Sequence, residues 1–123
     1  FYVEPTIFAD VSNTMTIARE EIFGPVLSVI PADSEEDLVA IANDSDFGLS
    51  GGVFTPDADR AYRFARQMRT GTVGQNGEAM DFFNIAFGGF KQSGIGREGG
   101  VEGLMPFLET KSVVLQSTPT HLG

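Results

Sequence analysis

Two short segments of this chain combine residue types that could do chemistry. The first is Glu20-Glu21-Ile22-Phe23-Gly24-Pro25, which sets a carboxylate and an aromatic ring two residues apart at the end of a predicted helix. A carboxylate there can accept both hydroxyls of a ribose, and an aromatic face can flank a nicotinamide ring. Taken alone the signal is weak, since a Glu that opposes the helix dipole at that end is usually just solvent-exposed. The second is Phe87-Gly88-Gly89-Phe90-Lys91-Gln92-Ser93-Gly94-Ile95-Gly96-Arg97-Glu98-Gly99-Gly100, whose glycines at 88, 89, 94, 96, 99 and 100 describe a backbone path rather than a core element. So many glycines cost conformational entropy on folding, which suggests a site. Ser93 is not expected to be a nucleophile: no His or Lys base is arranged for it, and Gly94 makes it a turn residue. From the residues alone, Glu98 fits a salt-bridge partner of Arg97 or Lys91, and Phe87 fits an ordinary core ring.

The elements that must position these segments alternate between strand-like and helix-like stretches. Residues 2–11 contain an extended Pro5-Thr6-Ile7-Phe8, after which Ser12 or Asn13 is expected to cap a short helix running to about Glu21. Residues 26–30 form the next apolar strand. Ser34 followed by Glu35-Glu36-Asp37 predicts a helix start, with a side-chain cap and three acids where the dipole favours them, and an end near Asn43. Residues 49–55 are the next strand, and Gly51-Gly52 within it hint at close packing. Thr55-Pro56-Asp57 opens a second helix with Pro56 at its first position, an apolar stripe through Ala58, Ala61, Tyr62, Ala65 and Met68, and a stop at Gly71. Arg63, Arg66 and Arg69 are read as complements to the dipole at its end. A strand over 72–76, a short turn or helix over 101–108 and a strand over 109–116 complete the pattern. Two consecutive strand-helix-strand units predict a parallel, doubly wound α/β sheet. The last strand falls outside that alternation and is expected to pair elsewhere, including with another subunit.

Composition narrows the classes. The 123 residues are 41% hydrophobic and 20% charged, so the chain is globular and long enough to bury a sizeable core. Its 17 acidic against 8 basic residues argue against nucleic acid or an anionic membrane surface as partner. No run is long enough for a membrane helix, and the chain's start at Phe1 without a Met is expected of a fragment or a processed chain. With no cysteine, disulfides, thiolate zinc sites and thiol nucleophiles are excluded within these residues, and a cytoplasmic setting is expected. The one histidine, His121, lies in a polar tail and is read as solvated.

Together the Glu-Glu-Ile-Phe-Gly-Pro and Phe-Gly-Gly-Phe-Lys-Gln-Ser-Gly-Ile-Gly-Arg-Glu segments resemble two signatures near the carboxyl end of NAD(P)-dependent aldehyde dehydrogenases. Asn43-Asp44-Ser45-Asp46-Phe47-Gly48-Leu49 resembles the helix-to-strand connection of that family, and Gly71-Thr72-Val73 with Asn76 resembles its next strand. The resemblance implies that residues 1–106 are the carboxyl-terminal part of the catalytic domain, 107–116 an oligomerisation strand and 117–123 a tail. It implies NAD or NADP as cofactor, an aldehyde as substrate, and a homo-oligomer, dimer or tetramer, of the full-length protein, with no nucleic-acid or membrane partner. By the same resemblance Glu21 holds the nicotinamide ribose, Phe23 contacts the nicotinamide, Phe87 lines the substrate pocket, and Glu98 stands behind the general base as a proton relay. No metal is implied. The family's reaction passes through a thiohemiacetal on a Cys which, like the general-base Glu, lies outside this chain, so the 123 residues alone are expected to be inactive. A non-catalytic folding or assembly module is the alternative. Two departures stand out: Ala86 where the family commonly has Pro, and Gly74-Gln75 in place of bulkier apolar residues. Between Asn76 and Phe87, where the resembling family builds a loop at the substrate entrance, Glu78 and Asp81 among Met80, Phe82 and Phe83 are expected either simply to face water or to favour an apolar aldehyde over an anionic one.

Overall fold

In a computed structural model the chain is mixed α/β, and the structure describes residues 2–77, 81 and 83–121. Strand β1 (Thr6–Phe8) is followed by helix α1 (Thr16–Arg19) and strand β2 (Val26–Ser28), and β1 and β2 pair in parallel with Thr6 opposite Val26. Helix α2 (Glu35–Asn43) and the two-residue strand β3 (Phe47–Gly48) come next. Strand β4 (Ser50–Val53), helix α3 (Ala58–Gln67) and strand β5 (Thr72–Gln75) then repeat the unit, β4 and β5 again pairing in parallel. Strand β6 (Phe90–Lys91) turns back antiparallel on β3, and helix α4 (Gly100–Leu104) runs into one 3₁₀ turn, Met105–Phe107.

Both strand-helix-strand units are thus parallel, as their length predicts, but they do not join into one doubly wound sheet. Each sheet has two strands. The side chains on the faces of these pairs stay open, Ile7 and Leu27 being 70% and 57% exposed. The sizeable core expected from composition is correspondingly absent: among the described residues the buried apolar side chains are Val11, Ala61 and Phe64. Residues 109–116, expected to be a strand, pair with no strand described here, and Val113, Val114 and Leu115 are exposed. An extended segment becomes a strand only when another backbone accepts its hydrogen bonds.

The helix starts follow side-chain chemistry. The Ser34 hydroxyl accepts the Asp37 N–H (3.0 Å) at the start of α2, with Glu35, Glu36 and Asp37 in the first turn. At α3 the cap is Asp57, whose carboxylate accepts the Arg60 N–H (3.1 Å), so Pro56 precedes the helix instead of opening it. α1 begins later than expected and has no side-chain cap. Its two candidates are engaged elsewhere: Ser12 with the Thr14 hydroxyl, and Asn13 with the Ile41 carbonyl of α2 (3.0 Å). The buried stripe of α3 runs through Ala61 and Phe64 and leaves Tyr62 65% exposed, with the Arg66 guanidinium 5.9 Å from its ring centre.

The end of α3 is set by α2. Instead of continuing to Gly71 the helix stops at Gln67, because Asn43 donates to the Gln67 carbonyl (2.9 Å) and accepts the Arg69 N–H (2.7 Å). Those two backbone groups are satisfied across the helix pair. Gly71 has a different use, since a Cβ there would collide with the carbonyl oxygen of Gly88. The close approach brings the glycine-rich segment against the start of β5, whose other end is closed off by Asn76. That residue adopts φ 52° and reproduces a strand pair with its amide, accepting the Thr55 N–H and donating to the Thr55 carbonyl, both at 2.9 Å. Gln75 donates to the same carbonyl (2.9 Å), which gives the polar residue a partner at a position where the strand would otherwise carry an apolar one.

Candidate active-site wall

Glu20 leaves α1 in extended conformation, and the chain then passes through Glu21 and Ile22 to Phe23, which has φ 54°. A left-handed backbone is a real departure for a bulky residue and is kept only where surrounding structure imposes it. The restraint is visible on both sides. The Glu20 N–H is held by the Thr16 carbonyl (3.0 Å), while the Pro25 carbonyl accepts the Thr6 N–H (2.9 Å) as β2 begins. The result is a Phe23 ring that is 90% exposed. Glu21 and Phe23, singled out from sequence for one ligand, line a single cleft of about 480 Å³ together with Ile17, Ala18 and Ile22.

Glu21 also lines a second hollow of about 460 Å³, whose opposite side is formed by Leu49, Thr70 and Ser93. The two segments that sequence reading marked, represented here by Glu21 and Ser93, therefore face a common space. Within the glycine-rich segment Phe87 and Glu98 are brought opposite each other by an antiparallel bridge in which each N–H donates to the other's carbonyl at 2.7 Å. Both border a cleft of about 670 Å³ with Leu49, Arg97, Pro106 and Phe107. Positive φ at Gly99 (66°) and Gly100 (56°) turns the chain out of that bridge into α4.

The salt-bridge reading of Glu98 is not met. Arg97 donates to the carbonyls of Gly96 (2.7 Å) and Gly89 (2.9 Å) and lies 5.5 Å from the ring centre of Phe90, whose ring also has Arg69 at 5.4 Å. Lys91 reaches away to the Asn43 and Ser45 carbonyls (2.7 and 2.8 Å). Among the described residues the ion pairs are Arg19–Asp44 and Arg60–Glu35, leaving the Glu98 carboxylate out of both. Ser93 accepts the Gly48 N–H (2.9 Å), a contact that ties the glycine-rich segment to β3. His121 is exposed in the tail.

Of the loop between Asn76 and Phe87, Glu78, Met80 and Phe82 lie outside the described residues. Asp81 folds its carboxylate back onto its own turn, accepting the N–H groups of Phe83 (3.1 Å) and Asn84 (3.3 Å) and the Asn84 side-chain amide (2.6 Å). The Asn84 amide, then the Phe83 N–H, hold this carboxyl below its ordinary pKa. Asp81 thus organises a turn, and its charge is engaged locally.

Sequence reading missed the side chains that hold these walls in place: Arg19, Asn43, Asn76 and Lys91. One signal was available, since α2 carries three acids in its first turn but no basic residue in its last.

The sequence model of the aldehyde dehydrogenase family matches residues 1–113. A betaine aldehyde dehydrogenase of Brucella melitensis is 49% identical over 116 residues, which are 94% of this chain and 24% of that protein. Among solved structures, an aldehyde dehydrogenase of Mycobacterium tuberculosis complexed with NAD+ superposes with a TM-score of 0.91 at 55% identity, over 98% of this chain and 25% of the other. A betaine aldehyde dehydrogenase of Staphylococcus aureus in complex with NAD+ gives 0.85 at 40% identity, over 97% and 24%. The chain therefore spans about a quarter of the length of the relatives it matches.

Proposed function

Because this chain belongs to the aldehyde dehydrogenase family, we propose that it forms one wall of an active site in which an aldehyde is oxidised to its acid with NAD+ or NADP+. The bound dinucleotide supplies the hydride acceptor. The observation that carries the reading is the shared cleft of Glu21 and Phe23, with the Phe23 ring exposed on a left-handed backbone. Glu21 would accept the two hydroxyls of the nicotinamide ribose, and Phe23 would flank the nicotinamide. Phe87 would pack beside the aldehyde, and the Glu98 carboxylate, engaged in no ion pair among the described residues, would pass a proton on from the general base. With no cysteine in the sequence, the thiol nucleophile of this chemistry has to come from residues beyond it.

The test is nicotinamide reduction with an alkyl or aryl aldehyde, measured on the full-length protein and on the 123-residue chain. Turnover is expected from the full-length protein alone. If it too is inert while its assembly is intact, the non-catalytic assembly reading takes over.

Assembly is the second half of the proposal. The unpaired segment 109–116, with Val113 and Val114 at 69% and 94% exposure, is suited to complete a sheet of a second subunit. An unpaired edge with apolar side chains is a liability that such pairing removes. Truncating the full-length protein after Pro106 is expected to give smaller species in light scattering; an unchanged mass would remove the segment from the interface.

A further inference from the structure

The carboxyl end of α2 attracts donors from both walls of the site. A helix leaves its last carbonyls without intrahelical partners and carries partial negative charge there. α2 has no basic residue of its own in that turn. The missing cations come from elsewhere in the chain. Arg19, immediately before Glu20-Glu21, donates one nitrogen to the Asp44 carbonyl (3.0 Å) and the other to both carboxylate oxygens of Asp44 (3.1 Å each). Lys91, inside the glycine-rich segment, donates to the carbonyls of Asn43 (2.7 Å) and Ser45 (2.8 Å), and the neighbouring Gln92 N–H donates to the Asp46 carbonyl (3.0 Å). To do so Lys91 adopts φ 53°, a conformation that a residue with a side chain rarely takes without being held there.

We infer that Arg19 and Lys91 are positioning residues which fix the cofactor-side segment (residues 20–24) and the substrate-side segment (residues 87–98) to one reference, residues 43–46, and so set the spacing between the two walls. The inference rests on the functional reading above. Its logic is energetic as well as geometric. The side chains of the Arg19–Asp44 pair are 39% and 56% exposed, and a pair this accessible contributes little to stability. The fork of Arg19 on Asp44 and the two carbonyls on one ammonium instead restrict direction. A displacement on the order of 1 Å between reacting partners can cost about a hundredfold in rate, so a contact of small stability can carry a large kinetic effect.

The test uses the full-length protein with Arg19→Met, Lys91→Met, the double variant, and Lys91→Arg, which keeps a cation able to bond two carbonyls. Hydrogen exchange gives a readout independent of turnover. Lys91→Met is expected to speed exchange at residues 20–24, and Arg19→Met at residues 88–96, each across the bridge from its own site. In steady-state assays each single variant should lower kcat at least about tenfold with little change in unfolding midpoint, Lys91→Arg should recover most of the loss, and the double variant should lose less than the product of the singles. Exchange that changes only beside each substitution would overturn the bridge, as would losses that multiply. A wild-type protein that reduces no nicotinamide would instead remove the functional reading, while the exchange experiment would still decide whether the two segments are coupled.

Discussion

Glu21→Gln in the full-length protein is expected to slow turnover and weaken nicotinamide positioning by about tenfold to a hundredfold. The size follows from the chemistry: a charge-assisted hydrogen bond is worth roughly 1.5–3 kcal/mol, and about 1.4 kcal/mol is a factor of ten. The amide keeps the shape of the side chain and one acceptor oxygen, but loses the charge and one of the two acceptors that a pair of ribose hydroxyls requires. The fold should not notice, because Glu21 is exposed and takes part in neither of the ion pairs among the described residues. Steady-state kinetics with varied cofactor, set beside thermal unfolding, separate the two effects. Equal cofactor affinity and kcat in the variant would take Glu21 out of the site, and a lowered unfolding midpoint would assign it a structural role instead.

Gly71→Ala is expected to be among the most damaging substitutions of a single methyl group in this chain. The added Cβ would overlap the Gly88 carbonyl oxygen and crowd its carbon at 2.7 Å, and both belong to backbone that no rotamer change can move aside. Overpacking typically costs about 1–3 kcal/mol, and a backbone-on-backbone collision belongs at or beyond the upper end of that range. Gly51→Ala is the matched comparison. Its Cβ would also meet an atom at very short range, but that atom is the terminal methyl of Met68, the tip of a flexible side chain. Urea unfolding of the two variants in the full-length protein should therefore separate them clearly. Similar losses would mean that the close approach of β5 to the glycine-rich segment is not what requires glycine at position 71.

These two predictions differ in how they could be reached. Glu21 could be proposed from sequence because the carboxylate, the ring and their spacing are contiguous and resemble a family signature. Gly71 was read from sequence as a helix stop, and its actual neighbour, Gly88, is 17 positions away on another segment. The same division runs through the secondary structure. The starts of α2 and α3 were close to readable, since an N-cap side chain satisfies a backbone N–H three residues on, as Ser34 and Asp57 do. Their relation to one another was not, because Asn43 of α2 holds the carbonyl of Gln67 and the N–H of Arg69.

The sequence by itself determined the class of the chain, the parallel pairing within each strand-helix-strand unit, and the absence of any cysteine from the 123 residues. Each of these depends on residue type or on contacts within one unit. Tertiary structure decided which donors meet the carboxyl end of α2, why Lys91 serves carbonyls rather than the Glu98 carboxylate, where α3 stops, and that among the described residues the strands form three separate pairs with few buried apolar side chains. The physical reason is the same in each case. Orphan carbonyls, open strand edges and apolar faces state what they need but not where it comes from, and any donor or surface that folding brings within reach can supply it.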